Sequence, residues 1–185
     1  MQQWKAPSYI CLPENARGRT LHCSPQQSLH LHWVICKEYN IETQPVWLHE
    51  PQRITATEEV SIFYDKPIVL GRYVEGGAIK PDIVVWDKTK KEAKIIEVSV
   101  PNDFGLNRAE RENVNKYQDL ENELRQTWEL EQIDIIPVIV GATGVVKNNL
   151  KSYLEAIPGK PSIEEVQLCA VTGTVSIIKR ALSHK

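Results

Sequence analysis

The stretch Lys80-Pro81-Asp82-Ile83-Val84-Val85-Trp86-Asp87-Lys88-Thr89-Lys90-Lys91-Glu92-Ala93-Lys94-Ile95-Ile96-Glu97-Val98-Ser99 decides the fold. It reads as two strands, Ile83 to Trp86 and Ala93 to Val100, rich in β-branched and apolar residues and joined by the polar turn Lys88-Thr89-Lys90-Lys91. Closing that turn pairs Asp87 with Glu92, Val85 with Lys94 and Asp82 with Glu97. A two-residue turn at Thr89-Lys90 yields the same pairs. Directly opposed residues of antiparallel strands share a face, with Cβ atoms ~5 Å apart. Asp82 and Glu97 are therefore expected side by side. A slip of one residue would send them to opposite faces.

Two opposed carboxylates destabilise a sheet unless something neutralises them. A divalent cation does so, and hard oxygen ligands with open positions suit Mg²⁺ or Mn²⁺. Such an ion activates water and stabilises charge on a transferring phosphoryl group. The alternative is a solvated acidic edge that binds no metal. Ser99 shares the face of Glu97, two residues on. A lysine often stands there in metal-dependent nucleases, so the cation must come from elsewhere. Lys116 is the best substitute, beside the apolar stripe of the following helix, where its long stem can cover core surface while the ammonium reaches an edge site. The alternative for Lys116 is a solvent-facing pair with Glu112 or Asp119.

Outward from the hairpin, Pro101-Asn102-Asp103 stops the second strand and a helix is expected over roughly Asn107 to Trp128, with Tyr117, Leu120, Leu124 and Trp128 at steps of three and four. Ile135 to Val140 is a short buried strand bounded by Gly141. A helix over Lys147 to Ala156, a Pro158-Gly159 turn and a last helix toward Leu182 follow. Ser162 and Glu165 form a capping box for that helix, and Thr172-Gly173-Thr174 is a potential break in it. Upstream, Ser28 to Tyr39 is an amphipathic helix with Leu29, Trp33 and Cys36 at steps of four and three and Leu31, Val34 and Ile35 alongside. Val60 to Tyr64 is a strand, continued after a bend by Pro67 to Leu70, and Gly76-Gly77 marks a loop. Residues 1–27 read as irregular, and 28–185 as one α/β domain with a mixed central sheet flanked by helices.

The chain's 185 residues fit one domain. Its net charge of −2 argues against binding nucleic acid by bulk positive charge. Locally the balance differs, because Lys80 to Lys94 holds five lysines against three acidic residues. No run approaches the ~18 apolar residues of a membrane span, and Met1-Gln2-Gln3-Trp4-Lys5 does not resemble a signal peptide. Cys11, Cys23, Cys36 and Cys169 are too uneven for a disulfide scaffold and read as reduced thiols of a cytoplasmic or nuclear protein. Trp33, Trp86 and Trp128 read as core aromatics, and Cys169 as a small buried residue. Gly141-Ala142-Thr143-Gly144 lacks the Gly-Lys-Ser/Thr ending of a phosphate loop and reads as a turn. His22, His30 and His32 cluster near one end, with His49 and His184 apart from the carboxylates in sequence, so histidine acid–base catalysis has no anchor.

Four pieces in order carry a family resemblance: Lys80 to Val85, Ile95 to Asp103, Lys116-Tyr117-Gln118-Asp119-Leu120, and Ile136 to Gly144. With His32-Trp33 and Cys36-Lys37-Glu38-Tyr39 upstream, residues 28 to 182 resemble the restriction-enzyme-like endonuclease domain at the C-terminus of site-specific non-LTR retrotransposon polyproteins. The resemblance implies a PD-(D/E)XK restriction-endonuclease-like core. Its site consists of a PD aspartate, a second acidic residue and a lysine displaced to the next helix, matched here by Asp82, Glu97 and Lys116. It implies nicking of target DNA that primes reverse transcription, and hence a nuclear location. Lys80 matches the basic residue before the PD pair. Asp65 or Glu59 is a further metal-ligand candidate by analogy with other relatives of the fold. The family carries a reverse transcriptase and a Cys/His zinc finger upstream. No reverse transcriptase fits in this chain, which then reads as a fragment of a longer element. Cys11, His22, Cys23, His30 and His32 are what would remain of the finger, but without a C-x-x-C pair no structural zinc is expected.

The leading expectation is thus a Mg²⁺-dependent DNA endonuclease. Asp82 and Glu97 ligate the metal with the Val98 carbonyl as a further ligand, Lys116 orients water or stabilises phosphorane charge, and Asp65, Ser99 and Tyr117 are accessory. Lys80, Lys88, Lys90, Lys91 and Lys94, with Lys147 and Lys151, are the expected phosphate contacts, giving affinity and salt dependence rather than sequence choice. The alternatives are a catalytically inactive DNA-binding or protein-interaction module, and an inert fragment that never folds.

Overall fold

A computed structural model describes residues 25–68 and 79–183. The first helix, α1 (Pro25–Glu38), begins three residues before the expected boundary. A proline is tolerated in a first helical turn, where its missing N–H has no partner to lose. Cys11, His22, Cys23, Gly76-Gly77 and His184 lie outside the described residues, as does all of the irregular segment except residues 25–27, which belong to α1.

The strands follow as β1 (Ile54–Ala56), β2 (Val60–Tyr64), β3 (Ile83–Asp87) and β4 (Glu92–Ser99), then α2 (Leu106–Thr127), β5 (Gln132–Ile139), α3 (Leu150–Ala156) and α4 (Ile163–Ser183). They form one mixed sheet in the order β1-β2-β3-β4-β5. Strands β1 to β4 pair antiparallel, and β5 lies parallel to β4 after the α2 crossover. The hairpin register is the expected one, with Val85 opposite Lys94 and Asp87 opposite Glu92.

Alternation in β3 and β4 sends two sets of apolar side chains to two cores. Ile83, Val85, Ile96 and Val98 pack with Leu31 and Ile35 of α1, Leu154 of α3, and Val166 and Ala170 of α4. Val84, Ala93 and Ile95 pack on the other face against Tyr117, Leu120 and Leu124 of α2. Trp86 stacks on Trp128 with ring centroids 4.5 Å apart, and both are packed against this second core.

Four expectations need correction. The buried stripe of α1 is Gln27, Ser28, Leu31, His32, Ile35 and Cys36, so Leu29 and Trp33 are only half-buried. Trp33 lies at the rim, donating its indole N–H to the Gln44 carbonyl, with the Lys37 ammonium over its ring. The stripe turns this way because His32 finds a partner inside: its Nδ1 lies 2.8 Å from Nε2 of His49, and a hydrogen-bonded imidazole can be buried where a bare one cannot. Second, α3 starts at Leu150 rather than Lys147, because Lys147 and Asn149 turn aside to the Glu110 carboxylate. Third, β5 reaches back to Gln132, since its first residues complete the parallel ladder to Glu92, Ala93 and Lys94. Fourth, Cys169 is half-buried.

Helix α4 runs unbroken through Thr172-Gly173-Thr174, the Thr172 and Thr174 hydroxyls bonding back to the Leu168 and Ala170 carbonyls. Its capping box is formed as read, Ser162 N–H donating to Glu165 and Glu165 N–H to the Ser162 hydroxyl. Gly141-Ala142-Thr143-Gly144 is a turn, fastened by the Thr143 hydroxyl donating to Asp103 at 2.6 Å. A Cβ at Gly141 would come within 2.3 Å of the same carboxylate, so a larger residue there would have to push the Asp103 side chain out of its bond to Thr143.

The His32–His49 pair makes a pH prediction. Burial, then the neighbouring His49, pushes His32 down to about 4, and burial also lowers His49. The folded state therefore binds fewer protons than the unfolded chain between the ordinary imidazole value and about pH 4, and stability falls as pH falls through that window. Relative to a His32→Leu/His49→Leu variant, the wild type should lose about 2–3 kcal/mol between pH 7 and pH 4. Melting curves of both proteins across that range check this; a pH-independent difference would contradict it.

Candidate active site

The site forms where the β3–β4 hairpin meets α2. Asp82 precedes β3 and Glu97 lies in β4, opposite each other if the pairing of Ile83 with Ile96 is extended one step. Two bonds link them: the Asp82 N–H donates to Glu97 Oε2 at 3.3 Å, and the Val98 N–H donates to Asp82 Oδ2 at 2.8 Å. Each carboxylate is thus held by the backbone of the other's strand. In an extended strand a residue's N–H and C=O point to the same edge, so the Val98 carbonyl faces the Asp82 side as well.

Helix α2 supplies the rest. Lys116 Nζ lies 2.9 Å from Glu97 Oε1, and the Tyr117 hydroxyl donates to Glu97 Oε2 at 2.6 Å. Glu112 pairs instead with Arg108. The Lys116 ammonium sits 4.7 Å from the Tyr117 ring centroid and keeps substantial solvent exposure, while Glu97 is buried. One ammonium facing two carboxylates leaves the group short of positive charge. Burial, and then the charge on Glu97, push Asp82 up to about 7. Burial and the two carboxylates drive Tyr117 far above the usual phenol range, so it stays a hydrogen-bond donor at neutral pH.

Asn113, one turn before Lys116, was not singled out by the sequence pattern. It is buried and donates to the Ser99 hydroxyl at 2.9 Å, tying α2 to the residue two positions past Glu97. The signal was a polar residue at a buried step of the stripe running Asn113, Tyr117, Leu120, Leu124. Asp65 has its N–H bonded to the Asp82 carbonyl at 2.8 Å, and its carboxylate pairs with Lys80 at 2.6 Å. Asp65 therefore borders the site through backbone, with its charge engaged by Lys80.

The remaining lysines are not gathered here. Five residues of strand, roughly 17 Å, separate Asp82 from the far end of β3, so Lys88, Lys90 and Lys91 sit at the opposite end of the hairpin. Lys90 pairs with Asp87, Lys91 with Glu131, and Lys88 donates to the Thr57 carbonyl. Lys94 points to the other sheet face and pairs with Asp134. Lys147 is ion-paired with Glu110, which also accepts from Asn149 and Tyr153, and Lys151 faces Glu155. The local excess of positive charge read from sequence is thus largely matched by acidic partners. A cleft of about 320 Å³ lined by Tyr39, Asp87, Lys90, Glu92 and Lys94 also lies at that far end.

The donor set fits a small hard cation. Among the described residues no group of three or more His, Cys, Asp or Glu is placed to hold a metal. Two carboxylates, one backbone carbonyl and water are, however, a usual set for Mg²⁺, which keeps several waters. The raised Asp82 carboxyl reflects burial first and the charge on Glu97 second, and a cation between the two carboxylates would offset both.

Because the folded-state Asp82 carboxyl titrates higher than in the unfolded chain, its contribution to stability is full below pH 4 and is lost as pH rises through about 7. Asp82→Asn keeps an acceptor for the Val98 N–H and removes the repulsion. It should be more stable than wild type by about 1–3 kcal/mol at pH 8, with the gain shrinking toward pH 4. Denaturant titrations at the two pH values measure it; a less stable variant at pH 8 would refute the account. No protein-family model and no curated protein matches the chain.

Proposed function

We propose that the chain is a metal-dependent DNA endonuclease with a restriction-endonuclease-like core, related to the target-nicking domain of non-LTR retrotransposons. The observation that carries this reading is the Lys116 ammonium 2.9 Å from Glu97. A lysine reaches the carboxylate pair from the crossover helix, in place of the missing one at Ser99. The topology supports it too: an antiparallel β2-β3-β4 sheet extended through one helix to a parallel β5.

Asp82, Glu97 and the Val98 carbonyl are the residues that would hold Mg²⁺ or Mn²⁺. Bound there, the ion would lower the pKa of a water and neutralise charge on the phosphoryl group. The chain's own part is positioning. Tyr117 and the Asp82 N–H fix both rotation and reach of the Glu97 carboxylate. Val98 N–H fixes Asp82, and Asn113 holds Ser99 against α2. Lys116 is the solvent-accessible cation of the group, able to donate to a non-bridging phosphate oxygen or to the attacking water. Target choice and reverse transcription would belong to other parts of an intact element, and the working compartment would be the nucleus.

The test is nicking of supercoiled plasmid with Mg²⁺ or Mn²⁺. Wild type should nick, chelator should abolish it, and Asp82→Ala and Glu97→Ala should lose about 10³-fold or more, with Lys116→Ala losing about 10²-fold. Calorimetry with Mn²⁺ should show heat in wild type and none in Glu97→Ala. Equal nicking by wild type and Asp82→Ala sinks the assignment. DNA binding without a metal response would favour the inactive binding module.

A further inference from the structure

We infer that the C-terminal half of α4 is a dimerisation seam, on which a second copy of the same helix packs antiparallel. Leu168, Val171, Val175, Ile178 and Leu182 recur at alternating steps of three and four, the spacing of a two-helix seam. Apart from Val171, which lies beside the Gly144 turn, this row faces away from the described body of the protein. Leu168 is 58%, Val175 42%, Ile178 53% and Leu182 66% exposed, whereas Val166 and Ala170 carry the contact with the core. Among the described residues of α4 from Val171 onward, none is buried. The helix thus extends well past its own packing surface with an apolar row on its outer side.

The polar residues of this segment do not need water. Thr172, Thr174 and Ser176 each donate a hydroxyl to the carbonyl four residues back, so burying the segment strands none of those donors. Such an arrangement suits a covered helix better than a solvated one.

Charge selects the occupant and its direction. The first turn carries Glu164 and Glu165, and Lys179 lies near the other end, all exposed. An antiparallel pair centred on Gly173 sets Leu168 against Ile178 of the second copy and Val171 against its Val175. The same register brings Lys179 of each copy within one turn of Glu164 of the other. A parallel pair would instead place Lys179 beside Lys179 and Glu164 beside Glu164, which opposes association. The helix therefore complements its own reversed copy in charge and at the Leu168–Ile178 and Val171–Val175 contacts.

Sedimentation equilibrium of the full chain across a concentration series tests this. Wild type should show a monomer–dimer equilibrium. Val175→Glu, at an exposed position, should weaken it by about 100-fold without lowering the melting temperature of the monomer. Lys179→Glu should weaken it by roughly fivefold, and the exchange Glu164→Lys/Lys179→Glu should restore it. A wild type that stays monomeric at its highest soluble concentration would overturn the inference. So would a dimer indifferent to Val175→Glu, or hydrogen-exchange protection of α4 in a monomer that disappears when residues 1–24 are removed, which would assign the seam to that segment. None of these readouts depends on nuclease activity.

Discussion

Everything at the candidate site depends on the register of one hairpin. With Val85 opposite Lys94, even-numbered residues of β3 face α2 together with odd-numbered residues of β4. Asp82 and Glu97 fall into that set, one step beyond the paired ends. A slip of one residue would part the two carboxylates, sending one of them to the face packed by α1, α3 and α4, and would carry the core residues of that strand, Ile83 and Val85 or Ile96 and Val98, off that face. The apolar pattern makes that alternative far too costly, since each large side chain moved from core to solvent costs about 1.5–3 kcal/mol. The hydrophobic alternation thus fixes the geometry of two charged groups that sheet packing alone would disfavour.

This also explains why so much of the region was legible in sequence. Strand alternation, turn length and the helical steps of Tyr117, Leu120 and Leu124 are local patterns, and they set register and facing before any tertiary detail is known. Lys116 could be placed beside that stripe for the same reason. What was not legible concerned long-range partners. Of the α1 residues that the spacing points inward, Leu31, Ile35 and Cys36 are buried, but a histidine with a hydrogen-bonded partner seventeen residues away takes the interior place that Leu29 and Trp33 would otherwise hold. The pairing of Lys147 with Glu110, remote in sequence, was equally invisible along the chain. The hairpin lysines read as a basic patch because Glu131, just before β5, and Asp134 within it are brought alongside only by the fold. A count of charges along the chain cannot see such pairs.

The near-neutral total then acquires a local meaning. Ion pairs between exposed side chains contribute little to stability, about 0–1 kcal/mol each, so the paired lysines add little to folding. Their effect is on the field: they leave little unbalanced positive charge at the hairpin tip. At the other end of the hairpin the balance is reversed, with two carboxylates sharing one lysine and Asp82 held unusually hard to ionise. That end is where a cation is most strongly favoured.

Helix α2 joins these levels. Its single inward stripe changes character along its length, from Glu110 and Asn113 through Tyr117 to Leu120 and Leu124. The apolar half anchors the helix on Val84 and Ile95, and the polar half projects toward the end of β4, where Glu97, Val98 and Ser99 run parallel with Pro137, Val138 and Ile139 of β5. Strand ends of this kind, at the carboxyl side of parallel neighbours, open the sheet to solvent beside a helix and are where α/β folds place ligands. The packing of α2 on the sheet therefore sets the reach of Lys116 and the angle of Tyr117. Shifting the helix by one residue would keep a roughly amphipathic contact yet carry Lys116 about 100° around its axis, away from Glu97. Core complementarity at Leu120 and Leu124 is what prevents it, so the rigidity of the second core is part of the design of the site.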